Sequence, residues 1–133
     1  MGIKLRNKMR DGKGHLETYI AGLKSHDLDM IDTSLVEDVQ FITPTKTLDK
    51  PAILEFLAAL YRGFPDWNYS HDDPIQQGEN FFAILWRQGG QHTGTLEFSG
   101  FDAVEATGKV VSIPPHFFFY RTTDKGLREI RPD

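Results

Sequence analysis

The 133-residue chain contains no cysteine. Disulfides and thiolate metal sites are therefore excluded, a composition that suits a reducing compartment, and a cytoplasmic location is expected. No apolar run approaches the roughly 18 residues of a membrane span, so no membrane partner is expected. No histidine pair has the HxH or HExxH spacing of a metal site, and no metal is expected. Glycine-rich phosphate loops are missing, and Ser34 and Ser70 lack the Gly-x-Ser-x-Gly elbow of a nucleophilic serine. Nucleotide-dependent and serine-triad chemistries fall away with them. Internal repeats and linker-like tracts are absent too.

Charge is unevenly distributed. The net charge is −4, yet residues 1–13 carry five cationic side chains against Asp11, a balance of +4, which leaves −8 on the rest. An acidic body is a poor nucleic-acid surface, and no nucleic-acid partner is expected. The basic start "MGIKLRNKMRDGK" reads as a flexible, solvated tail over residues 1–13, ahead of one domain over residues 14–133. Arg6 stands where a myristoylation signal wants Ser or Thr, and no apolar stretch follows to make a secretory leader.

What the chain has in quantity is aromatic side chains: ten Phe, four Tyr and two Trp. They can form an ordinary core or line a cavity for a planar apolar ligand. Leu16, Tyr19, Ile20 and Leu23 recur with helical spacing, which predicts a helix over residues 14–25. Asp27 caps a short helix to about residue 35, and Asp49 with Pro51 opens a third over 50–63, ended by Gly63 and Pro65. "VEDVQFITP" predicts a strand that stops before Pro44. Beyond Pro65 the pattern changes to strands: "WNYSHDDPI", "NFFAILWRQ", "QHTGTLEFSG" and "KVVSIPPHFFFYR", with a last hairpin through "TTDKG". Helices first and adjacent strands afterwards predict an α+β fold. Gly89, Gly90 and Gly94 are expected to bend a strand and bring His92 to the rim of the concave face. In "IPPHFFFYR", alternation sets His116, Phe118 and Tyr120 on one face.

"FPDW" (Phe64–Trp67), "GQHTG" (Gly90–Gly94), "ATGK" (Ala106–Lys109) and "YRTTDKGLRE" (Tyr120–Glu129) occur in this order. With them the chain, over roughly residues 14–131, resembles the SnoaL-like polyketide (ester) cyclases of the nuclear-transport-factor-2-like superfamily. The resemblance implies a cone: three N-terminal helices over a curved, mostly antiparallel sheet enclosing a pocket. It also implies cofactor-free acid/base chemistry, of the aldol-cyclase, isomerase or lyase kind, on a small apolar carbonyl compound. In that family an aspartate near the end of the last strand removes a proton α to a carbonyl, and a histidine on the preceding strand assists. By register those positions fall on Pro132 and Phe118, with Asp133 one residue along and His116 two residues back. The candidate catalytic residues are accordingly Asp133, His116 and His92, with Phe41, Trp67, Phe118 and Tyr120 lining the pocket.

Three readings follow. The domain is a cofactor-independent cyclase or isomerase, a non-catalytic small-ligand domain of the same fold, or a protein-interaction domain. An acid from the final strand facing the cavity separates the first two. Apolar side chains on the outer sheet face, drawn from Trp86, Phe98, Phe117 and Phe119, predict a homodimer formed sheet to sheet.

Overall fold

The computed structural model describes residues 2–98 and 100–133, with side chains from residue 12 onward apart from Ser99. Helix α1 spans Gly2–Ser25, α2 Leu28–Ser34 and α3 Lys50–Gly63. The strands are β1 (Leu35–Ile42), β2 (Thr47–Leu48), β3 (Asn68–His71), β4 (Ile75–Gly78), β5 (Phe81–Gln91), β6 (Val110–Thr123) and β7 (Gly126–Pro132). The backbone is already helical from Gly2, so α1 runs through the segment that reads as a tail in the sequence.

Capping chemistry sets the helix boundaries as the residue types require. The Asp27 and Asp49 carboxylates accept from the amides of Met30 and Ala52, and Pro51 occupies the first turn of α3, where its missing N–H costs nothing. His26 ends α1 in the left-handed region (φ 56), with its amide and that of Asp27 returning to the carbonyls of Leu23 and Gly22.

The strands form one sheet in the order β2-β1-β7-β6-β5-β3, with β4 also paired to β5. Every pairing is antiparallel except β1 with β7. Leu16, Tyr19 and Leu23 of α1, Ile31 of α2 and Ile53 and Leu57 of α3 pack on one face, against Phe82, Ile84, Trp86, Tyr120 and Ile130. This is the α+β cone, with helices on the concave side.

One expected strand is not there. The segment after Gln91 leaves the sheet, and "QHTGTLEFSG" becomes part of a long excursion between β5 and β6, in which Leu96 bridges to Val104. The glycines serve close approach and not a hairpin. A Cβ on Gly89 would meet the Val111 carbonyl at 2.8 Å, one on Gly90 the Trp67 side chain at 3.0 Å, and one on Gly94 the carbonyl oxygen of Arg62. The excursion is thereby pressed onto the end of α3, where the Gly94 amide donates to Gly63.

Pro114 and Pro115 sit at a bulge. Trp86 faces His116 and Gln88 faces Ile113, so two residues of β6, Pro114 and Pro115, oppose the single residue Arg87 of β5. A bulge tolerates prolines that a regular ladder would not. The irregularity keeps Ile113 on the concave face together with His116, Phe118 and Tyr120.

Candidate functional site

Between the sheet and helices α1 and α3 lies a cavity of about 550 Å³. Its deep wall comes from Tyr19 of α1, Tyr69 of β3, Trp86 of β5 and Tyr120 of β6, with Trp86 and Tyr120 almost fully buried. Nearer the mouth stand Gln88, Ile113, His116 and Phe118, faced by Phe41, Leu48 and Phe56. Phe98 and Phe101 of the excursion close over them, Phe98 stacked on Phe56 with ring centres 5.5 Å apart. The lining is overwhelmingly aromatic and aliphatic, as expected of a site for a flat apolar molecule.

The polar groups in this wall are few and ordered. Trp86 Nε1 donates to the Tyr120 hydroxyl at 2.7 Å, and the hydroxyls of Tyr61 and Tyr69 are paired at 2.8 Å. Burial, with a smaller contribution from Tyr61, raises the Tyr19 phenol above its usual range, and burial likewise raises Tyr69 and Tyr120. Tyr61 is pushed up to about 12, again by burial. All four phenols are therefore neutral donors at physiological pH. Trp67 Nε1 donates to Gln88 Oε1 at 3.1 Å, which fixes the amide's orientation. His116 Nδ1 lies 3.0 Å from the Pro114 carbonyl. A carbonyl only accepts, so Nδ1 carries the ring proton and Nε2 of the neutral imidazole keeps its lone pair. Lys46 and Glu55 are exposed residues at the cavity margin. Among the described residues no cluster of His, Cys, Asp or Glu could hold a metal ion.

Of the residues singled out in the sequence, His116, Phe41, Trp67, Phe118 and Tyr120 all line the cavity. His92 does not. Its side chain is buried (5% exposed) outside the cavity, stacked on Phe64 at 5.1 Å, with Nδ1 2.9 Å from the Thr107 hydroxyl. The Thr107 amide also points at Nδ1 from 3.4 Å, which makes Nδ1 the acceptor and leaves the proton on Nε2, a buried atom without a partner among the described residues. Around it, His92 exchanges backbone hydrogen bonds with Lys109 and Gly108, and the Asp66 carboxylate accepts from the Gln91 amide. "FPDW", "GQHTG" and "ATGK" thus meet in one knot at the end of the sheet. That knot is structural: it shapes the wall behind Trp67 and touches no cavity atom through His92.

Asp133 is outside the cavity as well. Its amide continues the ladder by donating to Phe117 at 2.8 Å, one step past the Phe118–Pro132 pair. Side chains alternate along a strand, so Asp133 falls with Phe117 on the convex side while Pro132 takes the concave position. Of the four aromatics from which the outer face was to be drawn, Trp86 and Phe98 line the cavity and Phe117 and Phe119 do not. Tyr19, Tyr69, Trp86 and Gln88 are among the lining residues that the sequence did not single out. For Trp86 the signal was available, since Phe82, Ile84 and Trp86 share one face by alternation.

The SnoaL-like domain family model matches residues 16–130. No curated protein matches the chain. Among solved structures, IdmH of Streptomyces antibioticus, a candidate polyketide cyclase, is 19% identical with a TM-score of 0.71, covering 92% of this chain and 90% of its own. A candidate SnoaL-like polyketide cyclase from Jannaschia sp. CCS1 is 18% identical with a TM-score of 0.70, over 92% of this chain and 85% of its own. AclR of Streptomyces galilaeus, a candidate hydroxylase, is 19% identical with a TM-score of 0.73, over 91% and 73%. These likenesses establish the shared cone, and the family match over most of the chain establishes membership: the protein belongs to the SnoaL-like domain family.

Proposed function

We propose that the cavity binds a small, flat, largely apolar carbonyl compound and that the domain carries out cofactor-independent proton transfer on it, in the manner of a cyclase or isomerase. The observation that carries this reading is His116. Its Nδ1–H is held by Pro114 and its ring lies in an aromatic wall, so the lone pair on Nε2 is the neutral base available to a bound molecule. Removal of a proton from the carbon α to the carbonyl would break that C–H bond, protonate Nε2 and leave an enolate. The same imidazolium can return the proton to another position or to the product alkoxide of an aldol closure. The family match and the cyclase-like neighbours support the substrate class.

A second reading is a binding domain without chemistry. It is favoured by the placement of Asp133, since no carboxylate from the last strand enters the cavity. The two separate in deuterated buffer. With 2-tetralone as a probe ketone, exchange of the α protons followed by nuclear magnetic resonance should exceed the buffer rate and fall at least tenfold in His116→Ala. Binding of the ketone with exchange no faster than in buffer would leave the binding domain as the function.

A further inference from the structure

At the deep end of the cavity the protein supplies more hydrogen-bond donors than it can use. A tyrosine hydroxyl has one proton to give, and an indole nitrogen can only donate. Trp86 Nε1 donates to the Tyr120 hydroxyl, so that oxygen is already an acceptor and its own proton must go elsewhere. The paired hydroxyls of Tyr61 and Tyr69 share one proton between them, so the second proton of that pair also needs an acceptor. The Tyr19 ring packs edge-on against Tyr120 at 5.9 Å and brings a third phenol to the same wall. Tyr69 packs edge-on against Trp86 with ring centres 5.6 Å apart, which sets the Tyr61–Tyr69 pair beside the Trp86–Tyr120 pair. The remaining lining at this depth is apolar, with no carboxylate on the inner wall. A core built only for packing would have used phenylalanine here, because a buried hydroxyl without a partner costs free energy.

We propose that the floor formed by Tyr19, Tyr69, Trp86 and Tyr120 is a binding subsite for an oxygen atom of the ligand, a carbonyl, enolate or phenol oxygen that accepts from the surplus tyrosine protons. This deepens the reading of the cavity as a small-molecule site and rests on it. Trp86, which holds the Tyr120 hydroxyl, is the cross-strand partner of His116, so the floor and the imidazole belong to one continuous wall. The ligand class is flat apolar compounds carrying at least one oxygen acceptor, with the rings against Phe118, Phe41 and Trp86. Neutral phenols converging on one oxygen would also favour the anionic form of a bound phenol or enolate.

The test compares two probes of the same outline, naphthalene and 2-naphthol, by titration of the intact protein, the variants Tyr120→Phe and Tyr69→Phe, and the mouth variant His116→Ala. The wild type should bind 2-naphthol about tenfold more tightly than naphthalene. Each tyrosine variant should lose about threefold to tenfold of that preference while naphthalene affinity stays the same, the worth of one net hydrogen bond. His116→Ala should keep the preference. Tyr120→Phe strips Trp86 of its partner and can lose stability. Tyr69→Phe, whose partner Tyr61 is only partly buried, and the wild-type comparison itself decide the question regardless. Equal binding of the two probes by the wild type, or a preference that survives both tyrosine variants and disappears in His116→Ala, overturns the floor subsite and leaves the cavity reading standing. Binding of neither probe overturns both.

Discussion

At the scale of single residues, His92 and His116 show how little the presence of an imidazole says about its use. Both follow strand-bending features, glycines for one and a proline pair for the other. His116 reaches the cavity because it alternates in regular register with Phe118 and Tyr120, and the bulge at Pro114 and Pro115 begins only beyond it. His92 leaves the sheet one residue past the end of β5 and is captured by Phe64 and Thr107. His92→Ala should therefore lower stability by about 1–3 kcal/mol through the lost stack and the orphaned Thr107 contact, and leave 2-naphthol affinity unchanged. Urea unfolding beside a binding titration checks this; a variant of unaltered stability with weakened binding would return His92 to the site. The four tyrosines make a second residue-scale statement. Their folded pKa values are raised above the unfolded value of about 10, so the native state holds protons that the unfolded chain releases. Their stabilisation is complete below pH 10 and is lost as pH rises through and beyond it, by about 1.4 kcal/mol per pH unit for each phenol still protonated in the fold. Urea unfolding at stepped pH should show a flat stability to about pH 9 and a steep fall above 10, with phenolate absorbance rising only together with unfolding. Phenolate absorbance that develops in the folded protein near pH 10 would mean the hydroxyls are reached by solvent.

At the scale of elements, the helices were legible because their signals are local. Apolar spacing, Asp caps and Pro51 act within a few residues, and α2 and α3 fall where those signals put them. The excursion between β5 and β6 was not legible as such. "QHTGTLEF" alternates well enough for a strand, but its conformation is decided by what it touches: Arg62 and Gly63, both distant in sequence. Gly94 is the narrowest of these approaches. Gly94→Ala would drive a methyl group into the Arg62 carbonyl, and the excursion would have to lift from the end of α3. A loss of roughly 1–3 kcal/mol is expected, with faster exchange of the Gly94 and Leu96 amides, whose carbonyl partners are Gly63 and Val104. Unchanged amide protection would show that the excursion is anchored elsewhere. Phe98 and Phe101 ride on this segment, so its attachment also governs how the cavity mouth is covered.

At the scale of the whole molecule, the convex sheet face raises the question of assembly. Phe81, Phe117 and Phe119 lie there in a stacked row, half buried, with the Arg121 guanidinium 4.8 Å above the Phe81 ring and Glu129 between Arg121 and Arg131. We propose that this row is the seam of a homodimer. Phe117 and Phe119 are two of the four aromatics the sequence offered for this face, Trp86 and Phe98 belong to the cavity, and Phe81 joins the row. Sedimentation at micromolar concentration should give a dimer that Phe119→Lys converts to monomer without loss of the cavity's ligand affinity. A wild-type monomer would refute the seam.

Amphipathic periods, capping residues and the switch from helical to alternating pattern determined the α+β class, and the order of four short motifs carried the resemblance that implied the cone and the family. They could do so because each depends on neighbours a few residues away, and because alternation gives each strand two faces. Alternation also put His116, Phe118 and Tyr120 together. Tertiary structure alone decided which face of which strand is the cavity, because a one-residue bulge or a single step past a strand end reverses a side chain and nothing local announces it. Asp133 went to the convex side by one such step. His92 was taken out of the site by partners 28 and 15 residues away in the chain, Phe64 and Thr107. The floor, drawn from α1, β3, β5 and β6, exists only where those elements converge, since hydrogen bonds between distant side chains form only after the fold has brought them within 3 Å or so.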